Sequence, residues 1–135
     1  MMGKRYSCHK ISEGKAEAEA LVSSDNIMFY LIKPETGVVI EPAHALYGQS
    51  MAGKILIFPG GKGSSVVQAD GLFQLNKHGN MPKAMIIQYP ETVLVSSAII
   101  MDIPMVDRVD PEFYKDIKSG DSVIVNADEE YVENV

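Results

Sequence analysis

The segment at residues 58–68, FPGGKGSSVVQ, contains the residue types best suited to chemistry in this sequence. It joins an apolar run to a run that is typical of a helix, and it places three glycines and two serines around one lysine. A connecting turn needs only one or two glycines. Three glycines beside a cation and two hydroxyls predict a loop whose backbone comes close to an anion.

The loop matches neither of the two phosphate-binding motifs that such a segment first suggests. The P-loop motif requires a glycine where Leu56 stands, and a serine or threonine where Gly63 follows Lys62. The dinucleotide-binding motif begins at Gly61 but meets Val66 at the position of its last glycine. Nucleotide binding is therefore not predicted.

The segment nevertheless has the features of an anion site at the start of a helix. A helix N-terminus has unpaired N–H groups and the positive end of a dipole, and Lys62 adds a full positive charge. The stretch SVVQ at residues 65–68 fits a capping box, so Ser65 is predicted to cap the helix and Ser64 to direct its hydroxyl at the anion. These residues alone leave an alternative open, in which both serines serve the cap and turn and the glycines only shape a connection.

Hydrophobic patterns predict the elements that position this loop. Strands are predicted at residues 6–11, 26–33, 38–40, 53–58, 84–89, 103–106 and 122–126. Residues 15–22, KAEAEALV, are ambiguous, because their composition favours a helix whereas their alternation has a period of two. Helices are predicted at residues 65–78, where Gly71 weakens the prediction, at 96–101, and from Asp110 onward. The acidic stretch at residues 128–134 is predicted to be a solvated edge.

The order of these elements predicts an α/β fold in which β structure dominates. A strand, the glycine loop, a helix and a second strand form the central unit, which favours a right-handed parallel crossover in a mixed sheet. The length of 135 residues indicates a single domain, residues 1–135.

Charge and composition exclude several function classes. A net charge of −6 and a pI near 5.0 argue against nucleic-acid binding and against an anionic membrane surface, since both require a basic surface. No apolar run approaches a membrane span, and the N-terminus lacks the apolar core of a signal peptide. The sequence therefore predicts a cytoplasmic location.

Cysteine and histidine usage predicts no metal site in this chain. The single cysteine, Cys8, allows no intrachain disulfide and cannot hold an iron–sulfur cluster alone. Adjacent Cys8 and His9 would point to opposite faces of a strand, and His44 and His78 have no companion at a metal-binding spacing.

Three blocks of the sequence carry a family resemblance in their order. They are GQSMAGKILIFPGGKGSSVV at residues 48–67, MPKAMII at 81–87 and SSAIIMDIPMVD at 96–107, and the similarity continues through residues 19–50. Together they resemble the small subunit, or swivelling domain, of the aconitase X family. The resemblance covers most of the chain, and the order of the blocks is more specific than any single block.

This resemblance implies a swivelling β/β/α domain and a hydro-lyase built from two chains. In that family a large subunit holds a 4Fe–4S cluster that accepts the leaving hydroxyl, and the small subunit has no cofactor of its own but supplies a proton-abstracting serine. By position, Ser64 is implied to be that serine, and Lys62, Gly63 and Ser65 are implied to bind the substrate around it. For archaeal members the implied substrate is (R)-5-phosphomevalonate and the product trans-anhydromevalonate 5-phosphate, within a mevalonate pathway of isoprenoid biosynthesis.

The implied chemistry is consistent with the residue types in the loop. A carbon acid beside a carboxylate is hard to deprotonate, because the developing charge falls on a group that is already negative. Lys62 and the helix N-terminus would favour both an alkoxide and an enolate-like transition state. Two alternatives stay open: a non-catalytic or regulatory module that binds a small anion, and a dehydratase of the same family for another hydroxy acid, such as a hydroxyproline.

Overall fold

The computed structural model describes residues 3–135, and within this range it contains ten strands and three α-helices. The strands are β1 (Lys4–Ser7), β2 (His9–Ser12), β3 (Lys15–Val22), β4 (Ile32–Lys33), β5 (Val38–Val39), β6 (Ile55–Phe58), β7 (Ala84–Ile87), β8 (Met105–Asp107), β9 (Ser122–Asn126) and β10 (Tyr131–Asn134). The helices are α1 (Ser65–Lys77), α2 (Thr92–Ile100) and α3 (Pro111–Asp116), and a 3₁₀ turn spans Phe29–Leu31.

Eight of the strands form one mixed sheet with the order β1-β10-β9-β3-β6-β7-β8-β2. The contacts β3–β6, β6–β7 and β7–β8 are parallel, and the other neighbours are antiparallel. Strands β1 and β2 stand at opposite ends of this order, yet only Cys8 separates them in the chain. The sheet therefore closes on itself through its N-terminal segment. The single strand predicted at residues 6–11 is wrong in this respect, because the segment is divided between the two ends of the sheet.

Alternate residues of the central strands pack into two separate cores. In β6, Leu56 and Phe58 belong to a core that includes side chains of α1 and α2, whereas Ile55 and Ile57 belong to a second core. The second core is filled by β9, β10 and Phe113 of α3. Because successive strand residues point to opposite faces, helices α1 and α2 cover one face of the parallel strands, and antiparallel strands together with α3 cover the other. The predicted mixed α/β fold with β/β/α layers is confirmed.

The central crossover joins parallel strands, as predicted. Strands β6 and β7 are buried along their whole length, as expected for parallel strands covered on both faces. They are direct parallel neighbours in the sheet, and helix α1 connects them in the chain. The ambiguous segment at residues 15–22 is strand β3, so the period of two decided its structure. Pro104 immediately precedes β8, which agrees with its predicted place at a strand start.

The strand predicted at residues 26–33 is wrong over most of its length. Ile27 makes an isolated bridge to Gly61, and Phe29 begins the 3₁₀ turn, so only Ile32–Lys33 pairs as a strand with β5. The fully buried Phe29 lies directly beneath Gly71 of α1, and the chain must turn there to pass the helix. Packing against α1 thus overrides the β propensity of this apolar run.

Two other predictions need correction. The acidic stretch at residues 128–134 is solvated only in its first part, because residues 128–130 form an exposed turn, whereas β10 lies between β1 and β9 and buries Val132 completely. The helix predicted at residues 96–101 begins earlier and is α2, Thr92–Ile100. The start of α3 agrees with its prediction, since Asp110 Oδ1 accepts a hydrogen bond from the Glu112 N–H at 3.0 Å and Pro111 is the first helical residue. No helix within residues 3–135 is long and apolar enough to cross a membrane.

Candidate functional site

The glycine loop lies at the carboxyl ends of the parallel strands β6 and β7. It leads directly from β6 into α1, and Tyr89, which follows β7, donates its N–H to the Pro59 carbonyl at 2.8 Å. Binding sites of open parallel sheets are characteristically found at this end of the strands. The loop therefore occupies a position suited to a ligand.

Packing or backbone conformation favours a glycine at each of the three glycine positions of the loop. A Cβ on Gly61 would overlap Gln68 Oε1 and lie 2.8 Å from Leu94 Cδ1, so this position has no room for a side chain. A Cβ on Gly60 would lie 3.2 Å from the Tyr89 carbonyl oxygen. Gly63 has a φ of +101°, which other residues rarely adopt. Close packing and one left-handed turn thus account for the glycines before any ligand is considered.

The first half of the loop is hydrogen-bonded to the segment before the 3₁₀ turn. The Ile27 N–H donates to the Gly60 carbonyl at 2.9 Å, and the Lys62 N–H donates to the Ile27 carbonyl at 3.0 Å. These two bonds extend the sheet by one parallel bridge. The backbone N–H of Lys62 is therefore already used, and only its side chain is available to an anion.

Ser64, and not Ser65, caps helix α1. Ser64 has an extended backbone conformation, with φ −69° and ψ 158°, and its Oγ accepts a hydrogen bond from the Val67 N–H at 3.4 Å. The prediction that Ser65 is the cap is wrong, because the left-handed turn at Gly63 starts the helix one residue earlier. Ser65 is instead the first residue of α1.

Gln68 also departs from the capping-box prediction. Its Nε2 donates to the Gly63 carbonyl at 3.0 Å and thus holds the turn that precedes the cap. The side chain is almost completely buried, although glutamine is usually exposed. Sequence reasoning assigned Gln68 only to the capping box and missed this role.

The position of Ser64 gives its hydroxyl a specific electrostatic environment. The Oγ lies at the positive end of α1 and accepts one backbone N–H, and both Ser64 and Ser65 are exposed. An oxyanion at this position is favoured by the helix dipole and by the N–H donor. The arrangement can therefore lower the free energy of a Ser64 alkoxide.

Lys62 forms an ion pair that the sequence did not predict. Its Nζ lies 2.5 Å from Glu41 Oε2, and the two side chains are 38% and 18% exposed. Glu41 precedes the lysine by 21 residues and belongs to a different loop, so no sequence spacing links them. Of the four predicted site residues, the structure places Gly63, Ser64 and Ser65 together at the start of α1, with Lys62 beside them and held by Glu41.

Three buried acceptor atoms have no hydrogen-bond partner within residues 3–135, and all three belong to the surroundings of the loop. They are the Oε1 atoms of Glu41, Gln68 and Glu91. Glu41 pairs with Lys62, Gln68 supports Gly63, and Glu91 precedes α2, whose Leu94 packs on Gly61. Each of these atoms is an acceptor, so a hydrogen-bond donor that reached it would offset the cost of its burial.

Cys8, His9 and His44 lie in surroundings that are typical of structural residues. Burial raises the pKa of the Cys8 thiol to about 11, with smaller contributions from Glu130 and Asp107. His9 Nδ1 lies 2.7 Å from Asp107 Oδ1. His44 is buried and accepts the Leu46 N–H at Nδ1.

The donor set of this chain does not fit an iron–sulfur cluster. Within residues 3–135 no three histidine, cysteine or acidic side chains come close enough to hold a metal ion. His78 lies apart at the C-terminus of α1, where its Nδ1 contacts the Gln74 carbonyl at 2.9 Å. A cluster needs several thiolates, and this chain offers one half-buried thiol.

Comparison with known proteins identifies the family. The family model described as the aconitase X swivel domain matches residues 5–134. The chain is 52% identical to the phosphomevalonate dehydratase small subunit of Methanothrix thermoacetophila, with 93% of this chain and 90% of the relative aligned. It is 45% identical to the protein of the same name from Archaeoglobus fulgidus, over 96% of this chain and 97% of that one. Phosphomevalonate dehydratase is a hydro-lyase, and these named relatives are archaeal.

A solved structure shows the same architecture. The holo-form crystal structure of Thermococcus kodakaraensis aconitase X superposes on this chain with a TM-score of 0.89 at 43% identity. The alignment covers 98% of this chain and 99% of that one. Sequence, family model and three-dimensional structure therefore agree that the chain belongs to the aconitase X swivel-domain family.

Proposed function

We propose that this chain is the small subunit of a heteromeric hydro-lyase that dehydrates (R)-5-phosphomevalonate to trans-anhydromevalonate 5-phosphate, with Ser64 as the proton acceptor. The observation that carries the proposal is the Ser64 hydroxyl at the positive end of α1, beside Lys62. The names of the relatives supply the substrate, since they are small subunits of phosphomevalonate dehydratase.

In the proposed reaction, Ser64 acts in its alkoxide form. It removes the proton from the carbon next to the substrate carboxylate and becomes a hydroxyl. The electron pair of the broken C–H bond forms the new carbon–carbon double bond as the substrate hydroxyl departs with its bonding electrons as hydroxide. The proton taken by Ser64 then passes to that hydroxide, which restores the alkoxide and makes the net loss one water. The Val67 N–H and the helix dipole favour the alkoxide before the transfer.

The neighbours of Ser64 bind the carboxylate in this proposal. Lys62 contributes the positive charge that opposes charge build-up on the carboxylate during proton removal. The left-handed turn at Gly63 keeps the backbone free of a side chain beside the substrate, and Ser65 offers an exposed hydroxyl on the first turn of α1. Lys62, Gly63 and Ser65 are thus the proposed substrate-binding residues.

The hydroxyl-accepting 4Fe–4S cluster implied by the family belongs, in this proposal, to the large subunit. The relatives' designation as small subunits supports the existence of that partner. The enzyme is proposed to act in the cytoplasm within the mevalonate pathway of isoprenoid biosynthesis, with residues 1–135 forming a single domain. The large subunit would cover the face that carries the glycine loop, since Ser64 must reach the substrate there.

Exposed apolar side chains support this docking face. Val66 follows the proposed substrate-binding serine and is 78% exposed, and Tyr89 beside Gly60 is 72% exposed. Ile40 adjoins Glu41 and is also exposed. Exposed apolar side chains close in sequence to a functional loop are consistent with a protein–protein interface.

The proposal is tested by co-expressing the chain with a cysteine-containing large subunit encoded in the same genome. We expect the two chains to co-elute in anaerobic size-exclusion chromatography and to release anhydromevalonate phosphate from (R)-5-phosphomevalonate. Two folded chains that elute separately would contradict the proposal. Co-elution with turnover of another hydroxy acid, such as a hydroxyproline, would contradict the substrate alone.

A further inference from the structure

The carboxylate of Glu41 has no role in the reaction as proposed above. Its Oε2 lies 2.5 Å from Lys62 Nζ, and its Oε1 is buried with no hydrogen-bond partner within residues 3–135. Because the two charges are so close together, their electric fields largely cancel at any point that is farther from the pair than the two charges are from each other. In this state Lys62 offers little net charge to an incoming anion.

The loop that carries Glu41 is fixed to the rest of the fold. His44 Nδ1 accepts the Leu46 N–H, so its Nε2 carries the proton and donates to the Asn26 carbonyl at 2.9 Å. The Ala45 N–H donates to Asp25 Oδ2 at 2.8 Å. Both bonds anchor residues 41–47 to residues 25 and 26.

The same short segment anchors the other partner of the ion pair. Ile27 exchanges hydrogen bonds with Gly60 and Lys62 at 2.9 and 3.0 Å. Residues 25–27 therefore connect the loop of Glu41 to the loop of Lys62. The fold, rather than two freely moving surface side chains, brings this carboxylate and this ammonium together.

We propose that Glu41 is a positioning residue that holds the Lys62 ammonium in the free subunit and releases it to the anionic group of the substrate on binding. Lys62 then exchanges one carboxylate for another, and the free subunit has a low affinity for small anions. The identity of the natural anion rests on the proposed function. The exchange itself rests only on the geometry of the pair.

A substitution that removes the charge but keeps a hydrogen-bond acceptor isolates this effect. In Glu41→Gln, the amide oxygen can still accept from Lys62 Nζ, whereas the negative charge is gone. Inorganic phosphate is the probe, and the amide NMR signals of residues 63–66 report its binding to the folded, isolated chain. We expect phosphate to bind Glu41→Gln about tenfold more tightly than the unsubstituted chain, because one opposing charge is removed.

Two further variants show whether the gain acts through Lys62. In the double variant Glu41→Gln/Lys62→Met, phosphate affinity should return to the weak value of the unsubstituted chain. Glu19→Gln is the matched control, because Glu19 Oε1 lies 3.7 Å from Lys54 Nζ in a pair outside the loop, and its carboxylate is more exposed than that of Glu41. This control should leave phosphate affinity unchanged. Equal affinities of Glu41→Gln and the unsubstituted chain, or an equal gain in Glu19→Gln, would overturn the proposal.

If Glu41→Gln does not fold, Glu41→Asp serves instead. Aspartate retracts the carboxylate by one methylene and weakens the pair, so phosphate should bind about threefold more tightly. An unchanged affinity in a folded Glu41→Asp chain would overturn the proposal.

Kinetics of the assembled enzyme provide a second readout. Glu41→Gln should lower KM more than it changes kcat, because the cost of releasing Lys62 falls on substrate binding. A fall in kcat with an unaltered KM would overturn the exchange. If the unsubstituted complex dehydrates no phosphomevalonate, the proposed function fails, and the phosphate titration still decides the role of Glu41.

Discussion

Gly71 of α1 lies directly against the backbone of Phe29, so that a Cβ at position 71 would come within 2.5 Å of the Phe29 carbonyl carbon. This contact sets the distance between α1 and the 3₁₀ turn that precedes β4. The contact also explains why a glycine stands at position 71, where it weakens the prediction of a helix at residues 65–78. Glycine is present because the helix must approach another backbone closely, although glycine is a poor helix former.

Gly71→Ala is therefore expected to destabilise the protein. Alanine raises helix propensity by about 1 kcal/mol, but its methyl group would force α1 away from Phe29 at a typical overpacking cost of about 1–3 kcal/mol. Urea unfolding followed by circular dichroism measures the balance. The neighbouring exposed residue provides a control, since Asp70→Ala should not lower the free energy of unfolding. A Gly71→Ala variant more stable than the unsubstituted chain would show that the contact relaxes without cost.

Tyr6 predicts a loss of stability at alkaline pH. The pKa of Tyr6 is raised from an ordinary value of 10.0 to about 12. Burial is the main cause, and a 2.5 Å hydrogen bond to Asp116 Oδ2 is the second. The folded state therefore retains this proton more tightly than the unfolded state. The contribution of Tyr6 to the free energy of unfolding is complete below pH 10 and is lost as the pH rises through about 12.

Tyr6→Phe removes this titration. Because the hydrogen bond is lost, we expect the free energy of unfolding of the variant to fall by about 1 kcal/mol at neutral pH. Above pH 10 its stability should decline less steeply than that of the unsubstituted chain. Burial also raises the pKa of Tyr114 to about 12, so part of the decline in stability remains in both proteins. Chemical unfolding at several pH values makes the comparison. Identical slopes for the two proteins would contradict the account of Tyr6.

Cys8 is expected to be an inert thiol. Because burial raises its pKa to about 11, only about one molecule in a thousand carries the reactive thiolate at pH 8. Alkylation by iodoacetamide should therefore be at least about tenfold slower in the folded chain than in urea at the same pH. Equal rates in the two conditions would contradict the buried environment of the thiol.

The parts of the fold that the sequence predicts are those whose local pattern agrees with their tertiary role. Strands β6 and β7 are continuous apolar runs, and in β3 the alternation of residues 15–22 matches its alternating exposure. The errors occur where a distant contact decides. Phe29 turns beneath α1, and strand β10, which ends the acidic stretch, is not at the edge of the sheet because β1 pairs beside it.

The candidate site shows the same division. The glycine loop and its helix are visible in the sequence, because glycines, serines and a cation lie together at a strand–helix junction. The pairing of Glu41 with Lys62 is not visible, since it depends on the bonds from residues 25–27 to two separate loops. The assignment of the cap to Ser65 fails for a local reason. The left-handed turn at Gly63 moves the helix start by one residue, and a capping box read from sequence does not include that turn.

Ser64 is proposed to take the proton, and Ser64→Asn tests this role most directly in the reconstituted complex. Asparagine is a good N-cap but has no hydroxyl, so the variant separates the proposed catalytic role of Ser64 from its capping role. Ser64→Ala removes both and should also lose about 0.5–2 kcal/mol of stability. The measurement is the rate of phosphomevalonate dehydration by Ser64→Asn and Ser65→Ala, assayed side by side with assembly confirmed for each. We expect a loss of about a hundred- to ten-thousand-fold for Ser64→Asn, and a much smaller loss for Ser65→Ala. Near-normal turnover by Ser64→Asn, or an inactive Ser65→Ala complex beside an active Ser64→Asn complex, would contradict it.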